Sequence, residues 1–136
     1  MFLLEVSTQV HAAHWLDEEK LYSKLCANIH GHTYGISVSL SSSRLDDQGM
    51  VVDAGIVKDE IKRNFDHKTL NDHDYFQRGI GGLSASLPTT AEVFARVIFE
   101  VLKLKLKVIA PDAVVESVSV RETDSTLATF IKVPSV

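Results

Sequence analysis

A single cysteine, three prolines and one tryptophan are all that this chain of 136 residues holds of those types. One cysteine, Cys26, excludes an intrachain disulfide and any cage built of cysteine ligands, and it leaves a free thiol that suits a reducing compartment. No apolar run approaches the roughly 18 residues that would cross a bilayer. The opening residues, Met1-Phe2-Leu3-Leu4-Glu5, lack a basic stretch and begin to alternate too early for a secretory leader. These absences predict a cytoplasmic protein with no membrane partner. Lys and Arg total 14 against 18 Asp and Glu, a net charge of −4, so no broad basic surface is available to hold nucleic-acid phosphates. Glycine is sparse except in the stretch from Gln77 to Leu87, which carries Gly79, Gly81 and Gly82. That stretch lacks the Gly-Lys-Ser/Thr ending of a phosphate-binding loop and opens no dinucleotide-binding unit, so it reads as a flexible loop.

What is present is the composition of an ordinary globular protein, 45% hydrophobic and 24% charged. The length predicts one domain over residues 1–136, large enough to bury about two-thirds of its unfolded surface. Leu4, Val6, Thr8 and Val10 alternate with Glu5, Ser7, Gln9 and His11, the period of a half-buried strand. Residues 33–41 repeat the pattern, with Tyr34, Ile36, Val38 and Leu40 on one side and small serines on the other. From Asp53 the period changes: Val57, Ile61 and Phe65 recur every four residues, an amphipathic helix with Asp53 as its cap. A second helix begins after Thr89 or Thr90, carries Val93, Val97 and Val101 as a stripe, and ends in Lys103, Lys105 and Lys107, the sign that complements a helix C-terminus. Two alternating runs follow, Val118 to Glu122 and Leu127 to Val133, joined by a short connection at Asp124-Ser125. The expected fold is therefore α+β: a four-stranded antiparallel sheet with two helices on one face. Its long strand edges need a partner, so self-association is expected.

The chemistry concentrates in the histidines, four of which fall between positions 11 and 32. In His30-Gly31-His32, residues two apart on an extended chain point to the same side, where two imidazoles converge on one metal ion; a hydrogen-bonded surface pair is the alternative. A third ligand would come from His11 or His14, which pairing of the first two strands brings close. Three neutral nitrogens leave a fourth position open, the arrangement of a catalytic zinc. Cys26 lies in a polar stretch four residues before His30 and reads either as a small buried hydrophobe or as a thiol base. Asp66-His67 follows the first helix, where an aspartate can simply cap a turn. Glu122 shares a face with Val118 and Val120, so either the strand has left the core there or the carboxylate has a buried partner.

Cys26-Ala27-Asn28-Ile29-His30-Gly31-His32, preceded by Ala12-Ala13-His14 and followed by Asp66-His67 and Arg121-Glu122-Thr123, resembles the 6-pyruvoyltetrahydropterin synthase and 6-carboxytetrahydropterin synthase family over nearly the whole chain. The resemblance implies the tunnelling fold, with strands joining between chains into a β-barrel and two trimeric rings stacking into a homohexamer. It implies a zinc-dependent lyase with His14, His30 and His32 as zinc ligands and Cys26 as catalytic base. Asp66 and His67 would act as a proton relay reaching Cys26 from a neighbouring chain, Glu122 would anchor the pterin ring, and Thr90 would line its pocket. Three residues between the cysteine and His-Gly-His resemble the bacterial 6-carboxytetrahydropterin synthases of queuosine biosynthesis, which convert 7,8-dihydroneopterin triphosphate with release of acetaldehyde and triphosphate. The alternatives are 6-pyruvoyltetrahydropterin synthase, which eliminates triphosphate without cleaving carbon–carbon bonds, and a zinc- or pterin-binding module without turnover. Lys24, Lys68 and Arg121 are candidates for the triphosphate. The chain departs from the family pattern at Val10, where an aromatic residue is usual, and in the length of the loop from Gln77 to Leu87.

Overall fold

The computed structural model describes residues 1–134, so the last two residues of the expected domain lie outside the described residues. Two long strands, β1 (Phe2–His14) and β2 (His30–Ser42), pair antiparallel along their whole length, from Phe2 opposite Ser42 to His14 opposite His30. Alternation decides the faces. Val6, Val10 and Ala12 of β1 and Tyr34, Ile36, Val38 and Leu40 of β2 are buried together, and successive side chains on a strand must point to opposite sides. The opposite face is polar, with Ser37 Oγ donating to Glu5 Oε1 at 2.7 Å.

The sheet is completed by β3 (Lys68–Thr69), β4 (Val114–Thr123) and β5 (Thr126–Ile131), in the order β3-β1-β2-β4-β5. This corrects the expected count. The sheet has five strands, and it is mixed, because β3 runs parallel to β1, with Lys68 beside Ala12 and Thr69 beside Ala13. A strand of two residues has no alternation for a sequence reading to detect. The last run also ends sooner than expected, at Ile131.

Three α-helices accompany the sheet: α1 (Ala54–Phe65), α2 (Asp74–Arg78) and α3 (Ala91–Ile109). The expectation of two helices missed α2, whose five residues are too few to show a helical stripe. Asp53 caps α1 by accepting from Gly55 N–H at 2.9 Å, and Thr90 caps α3 by accepting from Val93 N–H at 3.2 Å. The core is the contact of Val57, Ile61 and Phe65 of α1 and Phe94, Val97, Ile98 and Leu102 of α3 with the apolar face of the sheet. Two buried acids are paired: Glu100 accepts from Arg96 Nε at 3.0 Å, and Glu60 accepts from Arg63 Nη2 at 2.8 Å.

The glycine-rich stretch is not a free loop. Ile80 and Leu83 exchange backbone hydrogen bonds of 3.1 and 2.9 Å, while Ser86 N–H and Leu87 N–H donate to Gln77 O and Phe76 O at 2.9 and 2.8 Å. Gly79, at φ 88°, permits the turn, since a Cβ there would collide with the Leu83 carbonyl. Backbone pairing, invisible to composition, pins a segment that looks flexible in sequence.

Candidate metal centre

The end of β1 and the start of β2 meet at three imidazoles. His14 stands opposite His30, and His32 follows two residues on, so all three rings share the helix-covered side of the sheet. Their centroids lie 4.6 Å (His14–His30), 5.2 Å (His14–His32) and 4.9 Å (His30–His32) apart. Glu122, near the end of β4, completes the group: one ligand atom from each of the four side chains lies within 4.8 Å of every other. Backbone carbonyls orient two of the rings. His14 Nδ1 donates to Thr89 O and His30 Nδ1 donates to Asn28 O, each at 2.7 Å. A carbonyl only accepts, so the neutral rings carry their proton on Nδ1 and keep Nε2 as a lone-pair donor.

His14 is 1% exposed, and both its Nε2 and that of His32 are buried without a hydrogen-bond partner among the described residues. Each instead approaches Glu122 Oε1, at 3.3 and 3.0 Å, without hydrogen-bond alignment. Contact with the His14 imidazole lowers the Glu122 carboxyl below its usual range; burial opposes this, and His32 and His30 add to the lowering. Burial lowers His32 below the ordinary imidazole value, against the pull of Glu122. Orphaned buried nitrogens facing a carboxylate are unfavourable unless something positive joins them. Three neutral imidazoles and one carboxylate are a donor set suited to a divalent transition metal. The residues present therefore fit a metal ion.

His11 is not part of this group. It lies on the opposite face of β1, where its Nδ1 is 3.0 Å from Thr33 Oγ1. Asp66 and His67 join it there: Asp66 Oδ1 accepts from His11 N–H at 2.8 Å, His67 N–H donates to His11 O at 2.6 Å, and His67 Nδ1 is 3.1 Å from Asp66 Oδ2. The His11 N–H bond lowers the Asp66 carboxyl below its usual range, and His67 adds to that. His67 has φ 58°, a left-handed conformation that costs a non-glycine residue about 1–3 kcal/mol. Lys68 lies next to it, and both line an open cleft with His11 and Thr33.

Cys26 sits in a 3-10 turn, Lys24–Ala27, tied to the end of β1 by a Leu16 N–H···O Cys26 bond of 2.9 Å. Its thiol is partly exposed and outside the four-residue donor group. Of the remaining candidates, Thr90 is the α3 cap, Lys24 Nζ donates to Glu18 O at 2.6 Å, and Arg121 lines a cleft on the helix-free face with Gln9 and Ser37.

The family model described as 6-pyruvoyl tetrahydropterin synthase matches residues 3–132. The chain belongs to this family. A protein of Bacillus subtilis named 6-carboxy-5,6,7,8-tetrahydropterin synthase is 32% identical over 129 residues, covering 95% of this chain and 84% of that one. The 6-pyruvoyl tetrahydropterin synthase of Caenorhabditis elegans superposes with a TM-score of 0.72 at 26% identity, covering 97% of this chain and 96% of that one. The Plasmodium vivax 6-pyruvoyl tetrahydropterin synthase, at 16% identity, covers 97% of this chain and 99% of that one, with a TM-score of 0.62, and shares the fold.

Sequence reasoning places Glu122 with the substrate and does not predict its closeness to the histidines. It also misses the groups behind them. Thr89 and Asn28 act through backbone carbonyls, which no side-chain motif reports. Tyr34 had a signal, since it continues the His30, His32 face by one more step of two; its buried hydroxyl has no partner among the described residues, and burial pushes its phenol well up.

Proposed function

We propose that the chain is a zinc-dependent 6-carboxytetrahydropterin synthase, taking 7,8-dihydroneopterin triphosphate and water to 6-carboxytetrahydropterin, acetaldehyde and triphosphate. The observation that carries this reading is the convergence of His14, His30, His32 and Glu122, with two nitrogens buried and unpaired. His14, His30 and His32 hold the ion, which when bound supplies a Lewis-acid position for a substrate oxygen. Glu122 keeps its negative charge in a half-buried setting, so it can accept two N–H donors from a pterin amide and amino group. Cys26 moves the proton at the substrate side chain, and Asp66 with His67 receives and returns it. The similarity to the B. subtilis protein named 6-carboxy-5,6,7,8-tetrahydropterin synthase supports the carboxy-forming outcome.

The relay pair is held on the opposite face of β1 from the imidazole cluster, which supports a shared site in an assembly. Beyond its short pairing with β3, β1 leaves its first residues open as an edge, β5 forms the other edge, and Leu3 and Ile131 on them are 80% and 69% exposed. Joining β5 of one chain to β1 of the next pairs these edges and closes a barrel. The family resemblance implies a ring of three and two such rings stacked as a hexamer.

Product analysis tests the reaction. With 7,8-dihydroneopterin triphosphate the zinc-loaded protein is expected to release acetaldehyde, to stop after chelation, and to resume when zinc is restored. Triphosphate release without acetaldehyde would assign the pyruvoyl-forming reaction, and binding without either product would leave a pterin-binding module.

A further inference from the structure

His14 and His30 are oriented by carbonyls of very different origin. The acceptor for His30 is two residues away in its own turn, whereas the acceptor for His14 is Thr89, 75 residues on, at the entry to α3. Nothing local fixes that distance. A closed circuit does. Past His14, β1 leaves the sheet, and the Trp15 backbone is gripped on both sides by one side-chain amide: Trp15 N–H donates to Asn71 Oδ1 and Asn71 Nδ2 donates to Trp15 O, each at 3.0 Å. The same Trp15 carbonyl accepts from Thr89 Oγ1 at 3.0 Å, and Thr89 Oγ1 lies 3.3 Å from Asn71 Oδ1. The Thr89 carbonyl then accepts the hydrogen bond of His14 Nδ1–H at 2.7 Å.

Asn71 thereby does by side chain what β3 does by backbone. Lys68 and Thr69 pair with Ala12 and Ala13 of β1, and the Asn71 amide carries the same ladder on to Trp15. A carboxamide is needed because it must both donate and accept. We propose that Asn71 is a positioning residue for the metal centre, holding the Trp15 peptide and the Thr89 hydroxyl so that the Thr89 carbonyl fixes the ring plane and tautomer of His14. The proposal rests on the metal reading of the three histidines. Groups that orient a ligand histidine from behind typically change metal affinity by about 10- to 100-fold when lost.

The test is zinc affinity of the full chain, by competition with a chromophoric chelator, together with thermal unfolding of the metal-free protein. Asn71→Asp keeps the shape and the bond from Trp15 N–H but turns a second oxygen toward the Trp15 carbonyl. It is expected to weaken zinc binding by about tenfold or more. Thr89→Val removes the hydroxyl bond to Trp15, together with the hydroxyl's 3.3 Å contact with His14 Nδ1, and should weaken zinc several-fold, while Thr89→Ser, which restores both, should stay within about twofold of the parent. If Asn71→Asp does not fold, Asn71→Gln, which keeps both a donor and an acceptor but displaces them by one methylene, takes its place, and the valine–serine pair tests the Thr89 hydroxyl step of the circuit. Equal zinc affinity in Thr89→Val and Thr89→Ser, or a folded Asn71→Asp whose only change is a lower metal-free unfolding temperature, would overturn the proposal. A parent chain that takes up no zinc would overturn the metal reading and this proposal together.

Discussion

Two histidine groups lie on opposite faces of the paired strands β1 and β2, and the groups differ in almost every physical respect. On the helix-covered face His14, His30 and His32 converge, with His14 1% exposed and two rings fixed by backbone carbonyls. On the other face His11 and His67 sit edge to face at a centroid distance of 5.7 Å, with the His67 side chain 78% exposed and its backbone left-handed. Burial explains the contrast. Preorganising donors for an ion requires rigid, dry surroundings, and only the face under α3 offers them. The exposed group is held instead by two bonds to the His11 backbone, which set its place but leave the His67 ring open to whatever approaches. One face gathers, within a single chain, donors that fit a metal ion; the other presents groups outward.

Substituting members of the two faces breaks the comparison most sharply. His30→Ala and His32→Ala should each reduce zinc from about one per chain to near zero, with loss of turnover, because a two-nitrogen remnant does not hold the ion. His11→Ala should keep full zinc occupancy. Elemental analysis of the purified variants checks this; full occupancy in either His30→Ala or His32→Ala would remove the metal assignment.

A second experiment asks whether the outward face serves another chain. Cys26→Ala and His67→Ala should each lose about 10²- to 10⁴-fold in turnover, the usual scale for a positioned proton-transfer group, while retaining zinc. If the relay comes from a neighbour, the two inactive proteins unfolded and refolded together regain activity at about one quarter of sites, by random pairing in a closed oligomer. An oligomer that shows no complementation would place Cys26 and His67 in the same chain's site. A monomer in light scattering would remove the shared site altogether.

What could be read from the sequence follows the same division. Period-two alternation groups Val6 with Val10 and Ile36 with Val38, each pair on the buried face of its strand, because each of these strands is long and buried on one side only. His30-Gly31-His32 was legible since a spacing of two on a strand is geometry. The short pieces were not legible: β3, with two residues, and α2, with five, draw their stability from the neighbours they pair with rather than from a pattern of their own. Glu122 announced itself as an acid on an apolar row, yet its distance to His14 depends on β4 lying beside β2, a long-range pairing. Thr89 and Asn71 were silent for a related reason. Their bonds run to backbone groups that are distant in sequence, and a sequence records which side chains exist, not which carbonyls they meet.

The smallest expected effect sharpens the comparison from the exposed side. Asp66 is held as an anion chiefly by the His11 N–H, so its carboxyl titrates below the ordinary 3.8. A carboxyl depressed in the folded protein adds stability that is complete above its unfolded value and is lost as pH falls through its folded value. Asp66→Asn keeps an acceptor for His11 N–H and removes only the charge. Because the site is solvent-exposed and screened, the metal-free variant should unfold only a few degrees below the parent at neutral pH, and by less at high salt. That gap should hold steady above the unfolded carboxyl value, narrow as pH falls through it, and close once pH lies below the lowered folded value. Thermal unfolding of the two proteins across that range measures it. A gap that persists unchanged at the acid end would assign the Asp66 contribution to hydrogen-bond shape, leaving the outward face with no electrostatic share in fixing the end of β1.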